Sequence, residues 1–214
     1  MPHTATPIRS HAWRGALIAA AILVLSAGVT LAAPVGTVVG LSGPCFVESG
    51  GSRSALRLGQ AVEVGDTVDV PAPGKLKLRM TDGSVVSVAA DTRLTISAYG
   101  VDGAGQRQDT LLSLGRGLLR AVVAPVERPA KFEVTTAVGT AAVRSTDWFV
   151  EASRGSMQVG VLAGRVEMTS AATRRGVLIP ARWGGRLESG RDPVPPRVWG
   201  EAEFDAVIAR TDVP

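Results

Sequence analysis

The chain of 214 residues is short of the side chains that carry most protein catalysis. Both histidines, His3 and His11, lie within the first 33 residues, and Cys45 is the only cysteine. The rest of the chain has no imidazole to activate a serine or cysteine nucleophile, and it offers few ligands for zinc or copper. One cysteine also excludes an internal disulfide, so Cys45 is expected to be a buried, inert thiol.

Other catalytic and ligand-binding motifs are missing as well. No lysine stands three residues after a serine, and the chain has no phosphate-binding Walker loop. The stretch from Gly115 to Arg120 breaks the dinucleotide-binding pattern, and residues 102–109 have too few carboxylates for a calcium loop. We therefore assign no catalytic, cofactor-binding or metal-binding residue. A carboxylate pair that hydrolyses glycosidic bonds stays an alternative, because it needs only two acids across a groove.

Acidic residues are absent from the first 33 positions, where Arg9 and Arg14 precede an apolar segment from Gly15 to Ala33. This layout is typical of a secretory signal peptide, and Thr30 to Ala32 supplies small residues for cleavage. An uncleaved membrane anchor is the alternative, because 19 mostly apolar residues can just span the hydrocarbon layer. In either case we expect the remainder outside the cytoplasm, in the periplasm or secreted.

Positive charge is modest once this leader is set aside. The formal charge of +4 falls by two, to +2, and only Lys75, Lys77 and Lys131 are lysines. Because the arginines are scattered, nucleic acid is not expected as a partner. Membrane contact is expected only through the N-terminal segment, if that segment stays uncleaved.

From Val38 to Pro193 the chain consists of short apolar runs that are separated by glycine-containing breaks. No window of a dozen residues in this region has a convincing helical period. The pattern predicts an all-β domain of many short strands, arranged as a β-solenoid or rolled sheet. We expect this domain to span residues 34–180, after a signal segment at 1–33.

The hairpin around Asp82-Gly83 is predicted to its register. A two-residue turn would place the valines of the second strand on the same face as the basic residues of the first. A three-residue loop with Gly83 in the left-handed conformation instead pairs Leu78 with Val86. We expect this second register.

Further elements are predicted along the chain. Asp91 to Tyr99 alternates as a half-exposed strand, and Thr110 to Val123 is expected to form a strand pair around its glycines. Between them, Asp102 to Asp109 is expected to be an exposed, flexible loop. Residues 181–214 are predicted to hold a proline-rich linker and a short amphipathic helix over Glu201 to Arg210. The helix is expected to dock on its own domain, with docking on a partner as the alternative.

Several short motifs occur in a fixed order. In chain order they are Gly36–Gly43, Leu58-Gly59, Val64–Val68, Gly74–Leu78, Asp82–Ser84, Thr92–Leu94, Leu114–Gly117, Phe132–Thr136 and Ala142–Val150. In this order and spacing the chain resembles the FecR domain, the extracytoplasmic part of bacterial FecR-like regulators, from about Gly36 to Thr169.

The resemblance implies an all-β domain without catalytic residues, which acts by protein contact in the periplasm. In members that control iron uptake, this region is associated with the signalling domain of an outer-membrane transporter, and a cytoplasmic segment regulates a sigma factor. Only about 14 residues precede the apolar segment here, so we expect no such cytoplasmic domain. Where the family has Val-Arg-Gly-Thr, this chain has Ser145 in place of the glycine.

The polar group from Arg144 to Asp147 is expected to be a structural corner and not a ligand site. Val143 and Trp148 on either side fit inward-facing positions. At the corner, Arg144 can pair with Asp147, and the hydroxyl groups can satisfy backbone groups.

Together these observations predict a non-enzymatic FecR-like module that binds another envelope protein, with its sheet edges and final helix as candidate surfaces. No cofactor is expected. The alternative is a binder of anionic envelope polymer or lipid headgroups, which would lose affinity steeply as salt rises. The residues that suggest it are Arg165, Arg174, Arg175, Arg182, Arg186, Arg191, Arg197, Trp183 and Trp199.

Overall fold

The computed structural model describes residues 1, 3, 33–104, 106–128 and 130–213. The predicted signal segment lies almost entirely outside these described residues, so it stays a prediction. Within the part of the chain that is described, no helix combines the length and the apolar character that crossing a bilayer requires. The described residues from 33 to 213 belong to one compact unit.

Strands dominate the described residues, and the all-β class is confirmed. The first eight strands are β1 (Pro34–Ser42), β2 (Phe46–Ser49), β3 (Ser52–Ala55), β4 (Ala61–Glu63), β5 (Thr67–Val70), β6 (Lys75–Met80), β7 (Val85–Val88) and β8 (Thr92–Ala98). The others are β9 (Thr110–Val122), β10 (Phe132–Thr135), β11 (Gly139–Val143), β12 (Asp147–Ser153), β13 (Ser156–Ala163), β14 (Arg165–Ser170), β15 (Gly176–Pro180), β16 (Trp183–Glu188) and β17 (Arg197–Val198). Helix α1 covers Glu201–Thr211. The solenoid or rolled form of the sheet stays a prediction.

The strands form one connected sheet with two arrays that meet at β9. In the first array the neighbours run β4, β1, β6, β7, β9, β12, β13, β16 and β17. In the second array they run β3, β2, β5, β8, β9, β10, β11, β14 and β15. The pair of β9 and β10 is parallel, and the other strand pairs are antiparallel. Strands β3 and β15 are therefore the edges of the second array.

Strand β9 joins the two arrays through a bend at its glycines. Its residues up to Arg116 pair with β8 and β10, whereas those from Gly117 onward pair with β7 and β12. The predicted strand pair is therefore wrong, because a single strand of 13 residues changes partners along its length. Gly117 permits this with a φ of +93°, a conformation that is open to glycine and costly for other residues.

Replacing Gly117 by alanine is expected to destabilise the protein by at least ~1–2 kcal/mol, the usual cost of the left-handed conformation. The true cost should be higher, because the new Cβ would lie 2.5 Å from the Cα of Thr92. The matched control is Gly115→Ala, whose Cβ would meet only the carbonyl oxygen of Arg93, at 3.7 Å. Denaturant unfolding of both variants measures the difference, and equal stabilities would show that the bend does not need glycine.

The hairpin of β6 and β7 has the predicted register. Leu78 pairs with Val86, and Gly83 has a φ of +85°. The N–H of Met80 donates to the carbonyl oxygen of Ser84 at 2.8 Å, which closes the three-residue loop. The register prediction is confirmed.

Inward-facing side chains of both arrays form a single hydrophobic core. It includes Leu78 of β6, Val68 of β5 and the large side chains of Phe132 and Trp148, all of them buried. Cys45 lies in the same core, and burial raises the pKa of its thiol. The prediction of a buried cysteine is confirmed.

Helix α1 docks on its own domain, as predicted. The ring of Phe204 packs against those of Phe149 and Trp199, with centroids 6.3 and 5.5 Å away. Val207, one turn further along, is buried in the same small cluster. The large apolar side chains of the helix are thus packed within the domain, and its charged residues and alanines are open to solvent.

Lysines of β6 hold the C-terminal end of α1. The Nζ of Lys75 donates to the carbonyl oxygens of Ala209 and Asp212, at 2.8 and 3.0 Å. Lys77 likewise donates to the carbonyl oxygen of Val213. These contacts place positive charge at the negative end of the helix dipole and satisfy carbonyls that lack a helical partner.

The sheet continues beyond Pro180, where the β domain was predicted to end. Strand β16 pairs with β13, and the proline-rich stretch 192–196 follows it. Gly184 and Gly185 weaken the strand signal in the sequence. They are needed there, because a Cβ on Gly184 would collide with Trp199. The remainder of the domain division stays a prediction.

Candidate interaction surface

Residues 144–147 form a corner between β11 and β12, as predicted. Val143 and Trp148 on either side are buried, at 4% and 0% exposure. The predicted pair of Arg144 with Asp147 is wrong. Asp147 instead accepts two hydrogen bonds from Arg120, at 2.9 and 2.7 Å, because β9 and β12 are paired and place the two side chains together.

A groove of about 670 Å³ lies beside this corner and along β11, β14 and β15. Lys131, Arg144 and Arg165 contribute positive charge to its lining, and Glu167 contributes the one carboxylate. Leu178 of β15 adds an apolar side chain that is 56% exposed. The groove is therefore a mainly cationic surface with an apolar strip. With one carboxylate it does not hold the acid pair that glycoside hydrolysis requires.

Strand β15 presents unpaired backbone groups at the edge of the second array. The N–H of Ser170 donates to the carbonyl oxygen of Arg175 at 2.9 Å. This bond shows which residues of β15 direct their backbone groups toward β14 and which direct them away. Hydrogen-bonded pairs alternate along antiparallel strands. The backbone of Val177 therefore forms hydrogen bonds with β14, whereas Leu178 directs its N–H and C=O away from β14. Pro180, which has no N–H, falls in the outward-facing phase as well. Among the described residues, the only strand ladder that includes β15 is its pairing with β14.

The charges around this edge are mostly positive. Arg165 begins β14 and Arg174 lies in the turn before β15, and neither forms an ion pair with a described residue. Arg175 lies 3.2 Å from Asp192 in an exposed pair. Exposed pairs are weak, so these arginines keep much of their attraction for an incoming anion.

Most arginines that suggested an anionic polymer site are paired with carboxylates instead. Arg186 and Arg191 both approach Glu188, at 3.4 and 3.8 Å. Arg197 binds Glu203 of α1, and Trp199 is buried at 6% exposure. Arg197 thus helps to hold the helix, whereas the pairs of Arg186 and Arg191 with Glu188 are exposed and weak.

A buried charged cluster touches the corner from inside, and no sequence pattern predicts it. Arg107 comes from the loop that was predicted to be exposed, yet its side chain is 0% exposed. It donates to Asp82 Oδ2 at 2.6 Å and to the carbonyl oxygens of Ala124 and Arg144 at 3.2 and 2.9 Å. Its guanidinium also lies 5.7 Å from the centre of the Phe132 ring. The loop prediction is wrong at Arg107, because an irregular loop has no periodicity that would mark an inward residue.

The surroundings of Asp82 keep this carboxyl ionised. Burial raises its pKa, but hydrogen bonds with Tyr99, Ser84 and Arg107 outweigh burial, and the net pKa is lowered. Burial of Tyr99 and the nearby carboxylate of Asp82 together raise the pKa of Tyr99. Arg107 and Asp82 thus form a buried ion pair that joins the β6–β7 loop to the corner.

Comparison with family models finds a similarity over the middle of the chain. Residues 66–167 match the family model described as FecR protein. This stretch runs from the turn before β5 into β14, so it includes the corner and the whole of β9. This stretch of the chain is thus similar to the FecR family, and the resemblance that its motifs suggested is confirmed.

Solved structures share the fold. Two crystal structures of a candidate anti-sigma factor from Parabacteroides distasonis ATCC 8503, at 1.65 and 2.50 Å resolution, each give a TM-score of 0.54 with 17% sequence identity. The alignments cover 65% of this chain and 63% and 62% of those chains, so this chain spans less than two thirds of their length. A search of the curated proteins finds no match.

Proposed function

We propose that this chain is an extracytoplasmic FecR-domain protein that binds another protein of the bacterial envelope in a signalling process, without catalysing a reaction. The observation that carries this proposal is the FecR match over residues 66–167. The open edge of β15 and the groove beside it support it, because an unpaired edge with nearby charge suits contact with another polypeptide.

Two further observations support the setting of this function. The leader, with Arg9 and Arg14 before an apolar segment, supports export from the cytoplasm. The Parabacteroides proteins that share the fold are described as candidate anti-sigma factors, which agrees with a regulatory role.

Export is tested on the full chain, produced with a C-terminal tag in a bacterial host. We expect protease added to spheroplasts to digest the protein, since it lies outside the inner membrane. Its mass distinguishes a cleaved leader from an anchor, because an anchored chain keeps the full 22.1 kDa in addition to the tag. A full-length protein that stays protected and fractionates with the cytosol would contradict the proposal.

Partner binding is tested by chemical crosslinking of the purified, folded protein to envelope and cytosolic fractions of its own host. We expect a discrete adduct with an envelope protein that persists at high protein dilution. Adducts confined to cytosolic proteins, or hydrolysis of an envelope component by the protein alone, would contradict the proposed function.

A further inference from the structure

We propose that the free edge of β15 binds an acidic segment of the partner, which adds in extended conformation as a further strand of the second array. This inference rests on the proposed function, since it names the surface and the chemistry of the partner. It follows from three features of the edge: its open backbone, its surrounding charge and its poor fit to a second copy of this chain.

The backbone of β15 is open where other edges are protected. Natural edge strands are usually very short or carry charged side chains or proline at their centre. Strand β4 has 3 residues and β17 has 2, whereas β15 has 5 and carries its proline only at the end. The other long edge, β3, holds Arg53, whose side chain is tied to Asp69 at 2.8 Å. Strand β15 instead centres on Leu178, with an outward N–H and C=O and an exposed apolar side chain.

The surrounding charge selects an acidic partner. Arg165 and Arg174 flank the two ends of the β14–β15 hairpin, and Arg144 lies in the groove that Leu178 lines. These three guanidinium groups have no ion-pair partner among the described residues. Glu167 is the opposing charge on the same face. Carboxylates that alternate along an added strand would meet the arginines on this face.

A second copy of this chain fits the edge poorly. Two β15 strands paired in antiparallel fashion would bring Arg174 of one copy toward Arg182 at the other end of its partner, and like charges across strands are destabilising. The first 33 residues of the chain hold no acidic residue, so this segment lacks the complementary charge as well. The occupant is therefore a segment of another protein.

The proposal is tested with a short, fluorescently labelled peptide that alternates glutamate with valine. A peptide that alternates lysine with valine serves as the control for backbone pairing without complementary charge. We expect fluorescence anisotropy to show saturable binding of the glutamate peptide to the folded, leader-free protein, with affinity that falls as salt rises. The lysine peptide should bind at least about tenfold more weakly, because like charges meet.

Variants at Leu178 test the backbone contact. Leu178→Pro removes the outward N–H without breaking a hydrogen bond to β14, and it should weaken peptide binding about tenfold, the value of one such bond. Leu178→Thr keeps the N–H and is the matched control, which should retain most of the affinity. Circular dichroism and thermal unfolding establish that both variants are folded.

Charge reversal tests the charge complementarity and does not depend on the proline variant. Arg165→Glu should weaken binding of the glutamate peptide and strengthen binding of the lysine peptide. Arg154→Glu, in the exposed β12–β13 turn, changes the net charge equally and should leave both affinities unchanged.

Equal binding of the two peptides would overturn the proposal, and so would unchanged affinity in both Leu178→Pro and Arg165→Glu. A dimer of the wild-type protein that becomes monomeric in Leu178→Pro would also overturn it, in favour of a second copy at this edge. If these tests fail while the crosslinked envelope partner remains, the proposed function stands and only the assignment of the edge falls.

Discussion

Replacing Arg107 by methionine is expected to lower the free energy of unfolding by about 3–5 kcal/mol, the usual cost of breaking one side of a buried ion pair. The carboxyl of Asp82 is 1% exposed and would lose its cationic partner. The carbonyl oxygens of Ala124 and Arg144 would also lose a donor. Denaturant unfolding followed by circular dichroism measures the change.

An exposed ion pair provides the control. Arg175→Met removes an arginine whose side chain is 77% exposed and 3.2 Å from Asp192, and it should cost less than about 1 kcal/mol. The double variant Asp82→Asn with Arg107→Met should recover part of the loss, because neither charge is then buried alone. A loss in Arg107→Met no larger than that in Arg175→Met would contradict the structural role of the pair.

The pH dependence of stability follows from the lowered pKa of Asp82. Its ionised form is favoured in the folded state, so its contribution is complete above the unfolded pKa of about 3.9 and is lost as the pH falls through the lower, folded value. The Asp82→Asn variant lacks this part of the acid dependence. Its stability should therefore fall less steeply than that of the wild type in this acidic range.

Replacing Phe204 by alanine is expected to release helix α1 from the sheet. The buried ring contacts Phe149 and Trp199, and removing a buried phenylalanine costs about 3–5 kcal/mol. Because the helix packs in a small cluster outside the main core, the loss should appear as undocking of α1 and not as unfolding of the arrays. Amide hydrogen exchange in Glu201–Thr211 should accelerate more than about a hundredfold, whereas exchange in β12 should change little.

The exposed face of the same helix supplies the control for Phe204→Ala. Asp205 is exposed, and Asp205→Ala should change the exchange rates by less than the equivalent of about 0.5 kcal/mol. Faster exchange spread evenly over helix and strands in Phe204→Ala would show that α1 belongs to one cooperative unit with the sheet. Unchanged exchange would show that the aromatic cluster does not hold the helix.

Local patterns in the sequence predicted the elements whose conformation is determined by residues close to one another in the chain. The alternation around Asp82-Gly83 determined the hairpin register, since only one register buries both apolar faces. The spacing of Phe204 and Val207 predicted the final helix for the same reason. The corner at 144–147 was found because apolar residues flank a polar group.

Features that depend on distant strands were not visible in the sequence. Arg107 is buried because Asp82, 25 positions away in the chain, meets it in space. Lys75 lies on the outer face of β6 as its alternation predicts, but nothing local shows that α1 covers this face. The sequence did not identify β15 as an edge strand, since the position of a strand in a sheet depends on how all the other strands are arranged.

Binding of an envelope protein at β15 is tested most directly by a photoreactive amino acid at position 178 of the full chain in living cells. Position 58 is the matched control, since Leu58 is also an exposed leucine, at 66% against 56% for Leu178. We predict an adduct with one envelope protein from position 178 alone. In isolated envelopes this adduct should be suppressed by the peptide that alternates glutamate with valine. Adducts that are the same from both positions, or no adduct from position 178 in cells that contain the folded protein, would contradict the assignment.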